Sequence, residues 1–329
     1  MLRFLADGHA VCGEREPAAE YAEQAASLAR ALGDEAEEAR ALIGLGEDYV
    51  ELGRAQDAVD VLTRAAELSR RTGVLAVNAN AVSNLGNAYE LMGRTDDAIH
   101  CYLRTIAAAE ELDLTEGVLF GLLDLGGAHW HAGRLVEAAE ALERCLALAK
   151  RVVYRRPQTA AHLMLARVYA TAGRDDTARA HVDTAFDLAT KIGATDLLAG
   201  AHVEFGSGAL RAGRHGEAVE HYTRALHLAA GGVSQRHEAA ARIGLADTYV
   251  AVRRLDTARA HLEQGAVAAA ALPALAALCL TVEAQILIAE GRPAEATEMS
   301  RRALSAHERC GFRIGEDRTR QLLADLAAD

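Results

Sequence analysis

Leu45-Gly46-Glu47-Asp48-Tyr49-Val50-Glu51-Leu52-Gly53-Arg54-Ala55-Gln56-Asp57-Ala58 returns 40 positions later as Leu85-Gly86-Asn87-Ala88-Tyr89-Glu90-Leu91-Met92-Gly93-Arg94-Thr95-Asp96-Asp97-Ala98. Both copies carry a small residue, a ring three places on, a Gly-Arg pair and then an alanine. Gly133-Arg134, Gly173-Arg174 and Gly213-Arg214 continue the same 40-residue step. One step back falls on Gly13-Glu14. One step forward falls on Arg253-Arg254, where the glycine is lost, and a 38-residue step reaches Gly291-Arg292. Periodicity of this length is the signature of stacked supersecondary units.

The other repeated positions say what the units are. Seven places before each turn sit Ala6, Gly46, Gly86, Gly126, Ala166, Gly206, Ala246 and Ala284. Rings follow three residues later at Tyr49, Tyr89, His129, Tyr169 and Tyr249. Five residues past each turn comes an alanine, from Ala18 and Ala58 to Ala258 and Ala296. Bulky groups stand four beyond it: Leu62, Tyr102, Leu142, Val182, Tyr222 and Leu262. Spacings of three, four and seven are helical. Small residues recur where two helices cross closely, and the adjacent rings are expected to fill the space beside the crossing. Glycine at the turn supplies the positive φ that ends a helix. Each unit is therefore two antiparallel helices, which bury their apolar faces only by stacking on neighbours.

Gly33, Gly73, Gly193, Gly231-Gly232 and Gly311 punctuate the joints between units. Gly33-Asp34 with Glu37 reads as a helix stop followed by a capping box, and Thr115 and Ser234 read as N-caps. Met1 falls inside the first helix of the first unit, which is expected to be short. That abrupt start is expected either of a piece of a longer protein or of a natural Met start. Residues 314–328 match a further first helix with a polar outer face, the form of a terminal cap. No linker interrupts the series, so residues 1–329 are expected to form one domain.

Composition agrees. The chain is 51% hydrophobic but only 4% aromatic, with alanine prominent; small apolar residues suit close helix packing. A net charge of −12 without a basic run argues against nucleic acid and against an anionic membrane surface. No signal peptide and no apolar stretch of spanning length is present. Cys12, Cys101, Cys145, Cys279 and Cys310 are scattered, with no C-x-x-C pair, as expected of free thiols in a reducing cytoplasm.

The run Leu45 to Tyr49, through Gly53-Arg54 to Ala58, resembles the tetratricopeptide repeat, in a form longer than the usual 34 residues. It is similar to the repeats of Pins-type polarity adaptors and kinesin light chains. It also resembles the C-terminal sensor arrays of bacterial signal-transducing ATPases. Gly311-Phe312-Arg313-Ile314-Gly315-Glu316-Asp317 resembles the ends of actinobacterial antibiotic-regulatory proteins. The resemblance implies an all-α, right-handed superhelical solenoid of about eight helix pairs plus a C-terminal capping helix. The first helix of each pair would line a concave face that binds peptides, protein segments or small effectors.

Candidate ligand contacts follow from the first helices. Asn80, Asn84 and Asn87 share one helix face, and an amide offers both donor and acceptor to a peptide group. The resemblance implies that the stretch Asn84 to Tyr89 grips a peptide backbone. The same asparagines read equally as a solvated face or as partners of the adjacent repeat. Glu47 precedes the patch and Asp124 follows it; together they favour a positively charged ligand. Phe120, Trp130 and Arg167 come from the next two units, and Trp130, the only tryptophan, reads either as a groove aromatic or as packing between helices. Leu163, Val203, Ile243 and Val250 would line the later part, for apolar groups or for self-association into a homo-oligomer.

His181, His221 and His261 share one phase of the second helices, about 8–10 Å apart in neighbouring repeats. That is too far for one metal with ligand bonds near 2 Å. There is no phosphate loop and no nucleophile elbow. The expectation is a non-catalytic module without metal or cofactor, holding a peptide or protein segment for a cytoplasmic bacterial regulator. The alternative is a small-molecule sensor that controls an attached transcriptional or ATPase module.

Overall fold

The computed structural model describes residues 1–230 and 234–328, so Gly231-Gly232 lies outside the described residues. Among them all regular structure is helical, in seventeen α-helices. The chain divides into two compact units, Met1–Ala128 and His129–Asp329.

The first unit contains α1 (Leu2–Val11), α2 (Arg15–Leu32), α3 (Glu35–Glu51), α4 (Ala55–Thr72), α5 (Leu75–Leu91), α6 (Thr95–Glu111) and most of α7 (Thr115–His131). The second holds the end of α7, then α8 (Leu135–Arg151), α9 (Arg155–Thr171), α10 (Asp175–Ile192), α11 (Thr195–Arg211) and α12 (His215–Ala229). It continues with α13 (Gln235–Ala251), α14 (Leu255–Ala268), α15 (Pro273–Ala289), α16 (Pro293–Arg309) and α17 (Arg313–Ala328). Odd-numbered helices are the first members of their pairs. The shortened first helix is present: α1 has 10 residues where α3 and α5 have 17. The capping helix starts one residue earlier than the pattern suggested.

The turn chemistry is uniform. Gly53 has φ 72°, with its N–H on Val50 O at 3.0 Å and the Arg54 N–H on Tyr49 O at 2.8 Å, the paired bonds of a Schellman stop. Arg253 keeps that conformation without glycine, at φ 60°. Between units the same left-handed residue is Gly33, Gly73 or Gly193, but also Asp113 and Val153, which glycine spacing does not reveal. Asp34 and Ser234 cap their helices, accepting the backbone N–H of Glu37 and His237. Thr115 does not cap α7; it is its first residue, because the left-handed residue is Asp113 and the chain turns over Leu114.

The small position faces a bulky residue of the second helix. A Cβ on Gly46 would lie 2.4 Å from Leu62 Cγ, one on Gly86 2.6 Å from Tyr102, and one on Gly206 2.8 Å from Tyr222. Leu62, Tyr102 and Tyr222 are buried, so the missing methyl is what lets the pair close. The repeated rings pack against the core as expected, Tyr49 within it and Tyr89 and Tyr249 against it, and they do a second job as well. Tyr49, Tyr89, Tyr169 and Tyr249 lie under the arginine of their own turn, 4.1 to 5.2 Å from guanidinium to ring centre. Arg54 and Arg94 also donate to Asp57 and Asp97 at 2.7 Å. Gly-Arg is thus a turn with a cation–π lid, worth roughly 0.5–1 kcal/mol per exposed pair.

At the C-terminal end, fully buried His307 shares a hydrogen bond with Thr281 at 3.0 Å, and Gly315 leaves room for its ring. Not all of the cap's charged residues lie on its outer face: Glu316 is buried and paired with Arg313 and Arg320. Four of the five cysteines are buried, Cys12 is exposed, and all are free thiols.

Candidate functional site

In the first unit α3, α5 and α6 bring the predicted polar residues together. Asn84 Nδ2 donates to Glu47 Oε1 at 2.7 Å, and Asn87 Nδ2 to Asn84 Oδ1 at 3.4 Å. The asparagines are therefore partners of the adjacent repeat as well as surface groups. Asn84 and Asn87 are half-buried, while Asn80, one turn earlier on α5, is exposed. Periodicity marked Tyr102 only as packing bulk. Its hydroxyl, however, stands 2.7 Å from Asn87 Oδ1 and 2.9 Å from Glu90 Oε2. One proton thus faces two acceptors.

Electrostatics follow from this crowding. Glu47 is reached by solvent yet lies in a recess; desolvation raises its carboxyl pKa, opposed by the Asn84 hydrogen bond. Half-buried Asp124 is pushed up to about 7, by desolvation first and the charge of Glu90 second. Burial likewise raises the Tyr102 phenol. Phe120, one repeat beyond Asn80, is exposed. The face therefore offers amide donors and acceptors, acidic oxygens and one exposed ring.

The other two predicted residues lie in the second unit. Trp130 Nε1 donates to Thr171 Oγ1 at 3.0 Å, and its ring packs 5.5 Å from Phe312 and 5.2 Å from His131. Arg167 donates to Glu204 at 2.5 Å, and neither partner is well exposed. Leu163, Val203 and Ile243 are buried between helices rather than lining an open surface, and only Val250 is partly exposed. Their register position points toward the neighbouring helices, so these three offer no apolar face for self-association.

The histidines pair differently from the spacing argument. His181 and His221 each meet a histidine of the first helix: Nδ1 to Nδ1 is 2.8 Å for His162–His181 and 3.1 Å for His202–His221. Burial, then the neighbouring imidazole, lowers His162 and His202 to about 4. His261 stacks on Tyr249 at 5.5 Å. The missed partners, His162 and His202, are also 40 residues apart, which is the signal that could have found them. Among the described residues no group of three or more His, Cys, Asp or Glu side chains is placed to hold a metal ion. No described helix is long and apolar enough to cross a membrane.

A tetratricopeptide repeat family model matches residues 78–151, and a second matches 39–64, 159–184 and 277–302. The chain is built from tetratricopeptide repeats. The matched segments include the asparagine helix α5 and its partner α6. No curated protein sequence matches this chain. The tetratricopeptide fold is similar to that of the apo form of RapI, with a TM-score of 0.67 and 13% identity over 82% of this chain and 97% of that one. It is similar to the Rap conjugation gene regulator of plasmid pLS20 in complex with the Phr* peptide: TM-score 0.62, 18% identity, 82% of this chain and 75% of that one. A signal-transduction ATPase with a tetratricopeptide repeat sensor, from Pyrococcus horikoshii, gives a TM-score of 0.57 at 16% identity, over 81% of this chain and 41% of that one.

Proposed function

We propose that the α5 face of the first unit binds an extended peptide or protein segment, and that the chain is a non-catalytic interaction or sensor module of a cytoplasmic bacterial regulator. One observation carries this reading. Asn84 and Asn87 each spend one N–H and one oxygen lone pair on the Glu47–Asn84–Asn87–Tyr102 chain. An amide has two of each. Each asparagine therefore keeps one donor and one acceptor, the complement of one peptide group. The internal bonds hold the amides in place beforehand, which lowers the ordering cost of binding. The likeness in fold to a regulator bound to the Phr* peptide supports the same reading. Glu47 favours a segment with positive charge, and Asp124 adds to this only as it ionises near pH 7. The alternative, a small effector enclosed around Trp130, is weakened because that ring is already packed on Phe312 and His131.

The test selects binders from a random peptide library on the intact chain and measures the best by fluorescence polarisation. The double variant Asn84→Ala with Asn87→Ala should weaken binding by about 1–3 kcal/mol, as expected for two lost hydrogen bonds. Unchanged affinity with an unchanged circular dichroism spectrum would sink the proposal.

A further inference from the structure

The acidic net charge hides a local island of the opposite sign. Between Glu143 and Asp175 there is no acidic residue, while seven arginines and lysines fall in that stretch. Its centre is the joint between α8 and α9, Lys150-Arg151-Val152-Val153-Tyr154-Arg155-Arg156. The chain reverses here: Val153 and Tyr154 donate their N–H groups to Lys150 O and Ala149 O, at 3.2 and 2.9 Å. The reversal gathers the end of α8 and the start of α9 on one rim. Every residue of the joint is exposed except Tyr154, which is half-buried. Arg156 is bonded to Asp196 at 2.5 Å. Among the described residues Lys150, Arg151 and Arg155 form no ion pair. The register gives the reason for Arg151. Two repeats earlier, Arg71 pairs with Glu35 at 2.5 Å, and the position matching Glu35 is here the uncharged Thr115.

Three features of the joint work against folding. Arg155 and Arg156 stand on the first turn of α9, which holds no acid, so they oppose the helix macrodipole. Val153 takes a left-handed conformation at φ 57°, a strained one for a β-branched residue. Val152 and Val153 are 43% and 71% exposed. Cations without counter-charges around a bare apolar tip are the complement of carboxylates flanking an apolar side chain. We infer that the α8–α9 joint docks an acidic segment of a partner protein, with carboxylates on Lys150, Arg151 and Arg155 and an apolar side chain over Val152 and Val153. A nucleic acid fits less well. The net charge of −12 repels a long polyanion. The joint's one ring, Tyr154, is half-buried and poorly placed for a base to stack on, and valines do nothing for a phosphate. This surface lies in the second unit and does not rest on the asparagine face, whose charge preference is the opposite.

The probes are fluorescein-labelled peptides, Asp-Glu-Leu-Asp-Glu-Leu and its uncharged counterpart Asn-Gln-Leu-Asn-Gln-Leu, titrated into the full chain and read by polarisation. The acidic peptide should bind at least tenfold more tightly at low salt. That advantage should vanish as salt approaches 1 M and the screening length falls to about 3 Å. The double variant Arg151→Glu with Arg155→Glu should weaken the acidic peptide at least tenfold with an unchanged circular dichroism spectrum, since an acid on the first turn of α9 suits the helix. Val153→Gly relieves the left-handed strain and removes the apolar tip. It should melt higher yet bind the acidic peptide at least threefold more weakly. The inference is overturned by equal affinity for the two peptides, by undiminished binding in either variant that folds, or by a short oligothymidylate binding more tightly than the acidic peptide.

Discussion

Two regions of the chain use the same register positions for different ends. Glu47 and Asn84 recur, 120 residues on, as Arg167 and Glu204, and both pairs are bonded across adjacent repeats. Gly86, Asn87 and Tyr102 recur as Gly206, Ser207 and Tyr222, with Tyr222 sharing a hydrogen bond with Ser207 at 3.0 Å. The packing is common to both: each tyrosine sits on a glycine. The bonding is not. In the second region a salt bridge and a single hydroxyl contact consume the polar groups. In the first, amides keep half their capacity, and Glu47 is bonded to an amide rather than to a cation. A shared scaffold thus becomes a closed structural joint or an open recognition face through a few side chains.

The sharpest way to break this comparison is pH, because the two regions should respond with opposite sign. His162, His202, His237 and His307, all in the second unit, are each lowered to about 4, chiefly by burial. Unfolded imidazoles take up protons near 6.5. Their contribution to stability is therefore complete above that value and is lost as pH falls toward 4, several kcal/mol in total. Asp124 shows the reverse. Raised to about 7, it favours the fold most below its unfolded value near 4, and that advantage disappears as pH rises through 7. Urea unfolding followed by Trp130 fluorescence should show the second unit weakening between pH 6.5 and 4. Asp124→Asn should stabilise the first unit by about 1–3 kcal/mol at pH 8 and by nothing measurable at pH 4, read by hydrogen exchange.

Next in size is the joint itself. Arg167→Ala leaves Glu204 shielded and unpaired and should cost about 2–3 kcal/mol. Glu47→Ala, at the matching exposed position, should cost less than about 1 kcal/mol. Equal losses in urea titrations would erase the distinction between joint and face. The shared packing should fail alike in both regions: Gly86→Ala and Gly206→Ala are each expected to lose about 1–3 kcal/mol, since the added methyl meets a buried tyrosine. The smallest effect is a gain. Val153 holds a left-handed turn at φ 57°, where the first unit has Gly33 and Gly73. Val153→Gly should raise stability by about 1 kcal/mol, seen as a melting shift of a few degrees. Arg253→Gly should gain less, because Arg253 also donates to Ala289 O at 2.7 Å.

The fold was legible because each repeat states it again. Gly53, Ala58 and Leu62 are ambiguous once and decisive when their counterparts recur in register. The candidate face was legible only in part. Asn80, Asn84 and Asn87 stood out through local spacing on one helix, and Glu47 through its place one repeat earlier. Tyr102 was hidden, because its register position is a packing position and only its hydroxyl reaches the face. Trp130 could not be assigned from sequence, since its neighbour is Phe312, far along the chain.

The sequence by itself determined the helix pairs, their turns and the glycine-to-bulk contacts, since these follow from periodic positions within one or two repeats. Tertiary structure alone decided which polar groups are spent on each other: Asn87 with Tyr102, Arg167 with Glu204, His162 with His181. The physical reason is that periodicity specifies the path of the backbone, whereas hydrogen-bond direction and free volume depend on side chains that meet only once the repeats have stacked.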